Sequence, residues 1–108
     1  MNVVGEQAVV FVHPNGSRHP GRIALGEVFR ASGGEYRCEV ILEGLDEPRA
    51  ISGDSTLQAL LLAARFAAQR LHDFCAKGGR VVYPADADAG DDTDVALEAV
   101  FGPMFRSP

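Results

Sequence analysis

The segment SGDSTLQALLLAARFAAQRLHDFCAKGG, residues 52–79, constrains the fold more than any other part of this chain, because it carries both a start and a stop signal for a helix. Ser55 followed three residues later by Gln58 fits a capping box, and Asp54 is the alternative N-cap. Lys77-Gly78-Gly79 forms the stop signal, since glycine readily adopts the left-handed conformation that ends helices. The sequence therefore predicts one long helix between these signals.

The predicted helix, residues 54–77, has two unlike sides at 100° of rotation per residue. One side is an apolar arc that we expect to pack on a sheet, and the alanines in the middle of this arc allow the sheet to approach closely. The opposite side is a mainly polar stripe. The arc consists of Leu57, Leu60, Leu61, Ala64, Ala67, Ala68, Leu71, Phe74 and Cys75, and the stripe consists of Gln58, Leu62, Arg65, Gln69, His72 and Asp73.

The residues before this helix, 1–51, predict a meander of strands. Ala8–His13 is a β-branched and aromatic run, which is typical of a strand, and the Asn15-Gly16 pair after it is a strong hairpin signal. A second strand is predicted over Arg22–Ala31, with a bulge near Gly26 where the alternation slips. Tyr36–Glu43 alternates apolar and polar side chains, which predicts a strand with one buried face.

The remaining segments complete the predicted fold. Ala50-Ile51 is a candidate for a further short strand, and Arg80–Pro84 reads as the last strand because proline ends it. Residues 85–94 form an acidic loop, and residues 95–108 a short helix and a tail. The pattern predicts an α+β two-layer sandwich in a single domain, residues 1–108. We expect an antiparallel sheet of three to five strands in the order β-β-β-α-β, with the long helix on one face.

The distribution of charge argues against nucleic acid as a partner. Residues 1–85 carry nine acidic and nine basic side chains, so the net charge of -5 arises from residues 86–108, which carry six acids and one base. A balanced body with an acidic tail is unlike a nucleic-acid-binding surface. No run approaches the roughly 18 apolar residues of a membrane span, and the first residues lack the pattern of a signal peptide. We expect a cytoplasmic protein.

No motif of catalysis, cofactor binding or metal binding occurs in the sequence. Asp86 and Asp88 match the start of a calcium-binding loop, but Gly90 and Leu97 stand where ligands belong, so we expect a solvated loop. The other candidate reactive groups are isolated along the chain, and we predict core positions for the cysteines and surface or rim positions for the histidines. These residues are Cys38, Cys75, His13, His19 and His72.

The start of the predicted helix resembles that of an uncharacterised family of small bacterial single-domain proteins. The resemblance covers about residues 20–84 and rests on a GDS-x-QAL-like motif formed by Gly53-Asp54-Ser55 and Gln58-Ala59-Leu60. It implies an accessory or immunity protein and attaches no activity to any residue. A weaker resemblance to HicB-type antitoxins rests on EYRCEVILEGL and ISGDSTLQAL, although this chain has an extra hairpin ahead of the match and an acidic segment where those proteins bind DNA.

These observations favour a non-catalytic protein-interaction domain of the immunity or antitoxin-like kind, which binds an unknown protein or a second copy of itself. One alternative is a ligand-binding domain or enzyme with a pocket on the open sheet face, which would use His13, Arg37 or Glu39. Another alternative is a purely structural homodimer. The candidate partner surface combines the outer side of the helix with the acidic loop: Gln58, Leu62, Arg65, Phe66 and Gln69, together with Asp91, Asp92 and Asp94.

Overall fold

The computed structural model describes residues 2–84 and 93–105, and it confirms the predicted α+β class. An antiparallel sheet is covered on one face by a long helix, and a short C-terminal helical segment follows. The strands are β1 (Val3–Val12), β2 (Arg18–Gly26), β3 (Phe29–Arg30), β4 (Tyr36–Glu43), β5 (Arg49–Gly53) and β6 (Arg80–Val82). The helices are α1 (Thr56–Ala76), α2 (Leu97–Phe101) and a 3-10 helix (Gly102–Phe105).

The sheet has six strand segments that occupy five positions, in the order β5-β4-β2-β1-β6. Tyr36 pairs with β3 and β5, and Val40 pairs with β2 and β5, so β2 and β3 lie on the same side of β4. The single strand predicted over residues 22–31 is therefore interrupted at Glu27 and Val28. The candidate strand at Ala50-Ile51 is real and longer than expected.

The core lies between the helix and the face of the sheet formed by alternate strand residues. Strand side chains point to opposite faces in turn, and those that meet α1 are buried with its alanines. Residues from the C-terminal segment close one end of this core. The strand members are Val9, Phe11, Ile23, Cys38, Val40, Leu42 and Val81; the helix contributes Ala59, Ala63, Ala67, Leu71 and Phe74, and the C-terminal segment Val95, Leu97 and Phe105.

The predicted apolar arc of α1 was wrong at Leu57 and Leu61, because the helix is rotated relative to the prediction, whereas Leu60 packs against the core as expected. Leu57 and Leu61 were placed in the core but are 62% and 45% exposed, whereas Ala59 and Ala63 are completely buried. The reason lies at the end of β5, where a Cβ on Gly53 would come within 2.5 Å of the Ala59 nitrogen. Backbones this close leave room only for alanine on the sheet side, so Leu57 and Leu61 turn outward.

Both ends of α1 follow the predicted capping signals. The Ser55 hydroxyl accepts a hydrogen bond from the Gln58 N–H at 3.0 Å, and the Gln58 side chain accepts one from the Asp54 N–H at 2.6 Å. Ser55, rather than Asp54, is therefore the N-cap. At the other end, Gly78 has φ of 98°, and the N–H groups of Gly78 and Gly79 donate to the carbonyls of Cys75 and Phe74. This pair of hydrogen bonds is a Schellman motif.

The face of the sheet opposite the helix carries a cross-strand ion network. The Arg22 guanidinium lies 3.0 Å from the Glu6 carboxylate and 3.9 Å from the Glu43 carboxylate. These groups are partly exposed, so the network contributes little to stability but fixes where the Glu6 side chain points.

We expect Ser55→Ala to destabilise the fold by about 1 kcal/mol, because one of the first N–H groups of α1 would lose its partner. Ser52→Ala is the matched control, since Ser52 is exposed and lies on β5 outside the cap. Urea unfolding followed by circular dichroism measures both. Equal unfolding free energies for the two variants would contradict the capping role of Ser55.

We expect Gly21→Ala to cost more than about 2 kcal/mol, because the added Cβ would overlap the main-chain carbonyl of Glu43. Gly5→Ala is the control: a Cβ there has no neighbour within 4 Å, so stability should not fall by more than about 0.5 kcal/mol. Thermal or urea unfolding distinguishes the two. A tolerated Gly21→Ala would show that β2 and β4 can separate locally.

Candidate functional site

Three leucines form an exposed apolar surface on the first half of α1. Leu57, Leu61 and Leu62 are 62%, 45% and 37% exposed, and we call them the leucine patch. Leu57 and Leu61 are neighbours on the helix surface because they are four residues apart, whereas Leu62 points about 100° away from Leu61 around the helix axis. Single exposed leucines are ordinary on protein surfaces, but three of them within two turns of one helix are a candidate contact surface.

Polar groups border the leucine patch on both sides. Gln58 is four residues before Leu62, and Arg65 is four residues after Leu61, so both lie next to the leucines. Among the residues that the structure describes, no carboxylate lies within 4.0 Å of the Arg65 guanidinium. The patch therefore has an apolar centre and a polar border with one cation, Arg65, an arrangement common at protein interfaces.

The leucine patch is exposed because the C-terminal segment covers only the second half of that side of α1. Leu57, Leu61, Ala68, His72 and Cys75 follow one line along the helix at spacings of four, seven, four and three residues. Ala68 is completely buried, and the His72 ring centroid lies 5.2 Å from that of Phe105 in the 3-10 helix. The same side of α1 is thus buried near the C-terminus of the helix and exposed to solvent near its N-terminus.

A cleft lies beside the patch, between α1 and the loop that joins β4 to β5. Its volume is about 300 Å³, and Val40 and Leu42 line it together with residues of the loop and helix. The Arg49 guanidinium lies 5.3 Å from the Phe66 ring centroid, a cation–π contact at the mouth of the cleft. Four residues further along α1, Arg70 forms two contacts with the Asp46 carboxylate of the loop, at 2.7 and 3.1 Å.

The structure separates the predicted helix residues of the partner surface into two groups. Leu62 and Arg65 are exposed as expected, and they adjoin Leu57 and Leu61, which the prediction had assigned to the core. Gln58 is exposed but its side chain is used in the cap. Phe66 and Gln69 are only half-exposed. Phe66 packs against the core and beneath Arg49, so it borders the cleft rather than projecting outward.

Of the three aspartates in the predicted partner surface, the described residues include Asp94. Asp91 and Asp92 lie outside the described residues. Asp94 extends the sheet through an isolated bridge to Val82, and its Oδ1 accepts hydrogen bonds from Arg80 Nε at 3.0 Å and from Arg80 Nη2 at 2.8 Å. The Asp94 charge is therefore engaged within the chain.

The three residues proposed for a pocket on the open sheet face do not all lie on that face. His13 contacts Phe74 of α1 at 5.2 Å between ring centroids, which places His13 on the helix side of the sheet. Arg37 and Glu39 alternate with the buried residues of β4 and lie on the opposite side. His13 instead meets His19 across the hairpin at 4.7 Å, a pairing that their positions in the sequence did not suggest. The sequence does predict the hairpin turn between β1 and β2, and a strand register built from that turn would have placed His13 near His19.

Both cysteines are protonated thiols at neutral pH. Burial raises the pKa of Cys38, which is completely buried and whose Sγ lies 3.3 Å from the Gly26 carbonyl oxygen. Burial also raises the pKa of Cys75, and the negative charges of Asp94 and Glu98 raise it further. A nucleophilic cysteine needs the opposite shift.

Within residues 2–84 and 93–105, no helix is both long and apolar enough to cross a bilayer. The same ranges hold no group of three or more histidine, cysteine, aspartate or glutamate side chains placed to bind a metal ion. Comparison with protein-family models, curated proteins and solved structures finds no match to this chain.

We expect both thiols to react more slowly with iodoacetamide at pH 8 than glutathione does, because the raised pKa values leave less thiolate. Cys75 should be alkylated before Cys38, since only Cys75 is partly exposed. Mass spectrometry of timed samples measures both sites, and the two rates should converge in guanidinium chloride. Alkylation of Cys75 faster than that of glutathione would contradict this assignment.

Proposed function

We propose that this chain is a non-catalytic protein-interaction domain, of the immunity or antitoxin-like accessory kind, which binds a partner protein through the leucine patch. The observation that carries the proposal is the exposure of Leu57, Leu61 and Leu62 within two turns of a helix whose far end is covered by the chain's own C-terminal segment. A helix face with anchors four residues apart is a recurring surface for protein recognition.

The energetics of burial support this surface as an anchor. Complete burial of one leucine side chain contributes about 1.5–3 kcal/mol, so a partner that covers all three gains enough to offset part of the entropic cost of association. The patch lies on a regular helix that is held by caps at both ends. A rigid surface loses little conformational freedom on binding, which favours affinity.

The charges around the patch favour a partner with acidic groups at the edge of its contact surface. Arg65 borders the leucines, and Arg49 lies at the mouth of the neighbouring cleft above the Phe66 ring. Neither guanidinium has a carboxylate within 4.0 Å among the described residues. Rim charges of this kind mainly accelerate association and select the partner. We also propose that Asp91 and Asp92 contact the partner, in addition to the leucine patch.

The test is affinity capture with the tagged chain and with the double variant Leu57→Asp, Leu61→Asp. We expect the double variant not to capture the specific partner, because each aspartate places a charge in a contact that excludes water when the partner binds. Phe29→Asp is the matched control: Phe29 is 42% exposed but lies on β3, away from the patch. The captured protein is then purified and its affinity for the three forms is measured by calorimetry.

A partner bound equally by the wild type and the double variant would refute the leucine patch as its site. Circular dichroism of the double variant must show the wild-type helix content, since both leucines are exposed and their replacement leaves the core intact. Arg65→Glu provides a graded check, because reversing a rim charge should slow association more than it speeds dissociation.

A further inference from the structure

His13 and His19 lie side by side on the face of the sheet that α1 covers, and we call them the histidine pair. Their ring centroids are 4.7 Å apart, and the two ring planes are inclined by 75°. His19 lies opposite the buried Phe11 in the register of β1 and β2, and residues opposite each other share a face. His13 is half-buried and His19 is exposed, so the pair is open to solvent at the rim of the core.

The histidine pair offers ring nitrogens to a ligand. Among the residues that the structure describes, no group forms a hydrogen bond with a ring nitrogen of His13 or His19. A neutral imidazole carries one N–H and one nitrogen lone pair, and that lone pair is a common ligand for Zn²⁺, Ni²⁺ and Cu²⁺. Two imidazoles side by side therefore favour a transition-metal ion as the ligand.

The spacing of the two rings matches one shared metal ion. An ion about 2.1 Å from a ring nitrogen lies roughly 3.2 Å from the centroid of that ring. Two centroids at 4.7 Å satisfy this distance when the two metal–nitrogen bonds meet near a right angle, as in octahedral and square-planar coordination. Rotation about χ2 of histidine is soft and turns the ring about an axis close to its centroid, so a nitrogen of each ring can reach the ion at this spacing.

We propose that the histidine pair binds one divalent transition-metal ion through one nitrogen of each ring. Within the described residues, no third histidine, cysteine, aspartate or glutamate completes a cluster with the pair. Water therefore fills the remaining positions, and the ion exchanges with solvent, unlike the ion of a structural site closed by four protein ligands. This site is separate from the leucine patch and does not rest on the function proposed for it.

The hairpin turn holds the pair in place before an ion binds. The His13 N–H donates to the Ser17 carbonyl, and the His13 carbonyl accepts from the Gly16 N–H, both at 2.8 Å. The loop after β4 packs on the main chain of His19, since a Cβ on Gly44 would come within 3.2 Å of the His19 carbonyl oxygen. Both histidines thus lie on rigid elements, so little reorganisation opposes binding of the ion.

The end of α1 favours a cation at this position. Phe74 lies in the last turn of α1, and its ring centroid is 5.2 Å from that of His13. The C-terminal end of a helix carries a partial negative charge, which stabilises a nearby cation. Lys77, the cation that follows this turn, is paired with the Asp73 carboxylate at 3.1 Å.

The test is a titration of the full chain with ZnCl₂, followed through the Cε1–H resonances of its three histidines in NMR spectra. We expect the His13 and His19 resonances to shift with one common saturation curve, because both rings bind the same ion. His72 is the internal control, since it points about 200° away from Phe74 around α1. MgCl₂ is the control ion: Mg²⁺ prefers oxygen ligands, so it should leave the resonances of the pair unchanged.

Variants distinguish one shared ion from two separate contacts. We expect His13→Gln and His19→Gln each to weaken Zn²⁺ binding by about tenfold or more in calorimetry, because one imidazole of the pair remains. His72→Gln is the matched control and should bind Zn²⁺ as the wild type does. Circular dichroism checks that all three variants keep the helix content of the wild type.

Separate saturation curves for His13 and His19, or shifts no larger than that of His72, would overturn the proposal. Equal Zn²⁺ affinity of the wild type and both glutamine variants of the pair would overturn it too, as would an equal response to Mg²⁺, which would assign the ion to carboxylates. Zinc binding that persists in Leu57→Asp, Leu61→Asp separates this site from the leucine patch, so either proposal can fail without the other.

Discussion

The close approach of α1 to the sheet is the constraint on which the rest of the structure depends. Gly53 lies against the first turn of α1, and the alanines at 59, 63 and 67 form a smooth ridge that follows the sheet toward the far end of the helix. Because this ridge takes the sheet side, Leu57, Leu61 and Leu62 are exposed, whereas Leu60 packs against the core from the side. The candidate binding surface is thus a geometric consequence of how the layers pack.

Local signals were sufficient for much of the fold. The ends of α1 follow from Ser55, Gln58 and Gly78, and the alternation of β4 follows from side chains only two residues apart. The rotation of α1 did not follow, since a leucine arc and an alanine arc overlap on this helix and hydrophobicity alone favours burying the leucines. The contact between Gly53 and Ala59 decides between them, and it depends on where β5 ends.

The candidate sites show the same division between local and non-local information. Leu62 and Arg65 could be assigned to the outer side of α1 from their spacing, whereas the adjoining Leu57 and Leu61 required the true rotation of the helix. The pairing of Asp94 with Arg80 depends on a bridge to β6 that no local pattern indicates.

The position of β6 has a consequence for synthesis on the ribosome. β1 emerges first, but its partner β6 follows the whole of α1, and the core is closed by Phe105 near the end of the chain. Until β6 leaves the exit tunnel, Phe11 has no Val81 beside it. The growing chain therefore carries an incomplete β-sheet with an apolar face, which is the kind of intermediate that nascent-chain chaperones protect. The hairpin can form early, whereas the compact core must wait for β6 and Phe105.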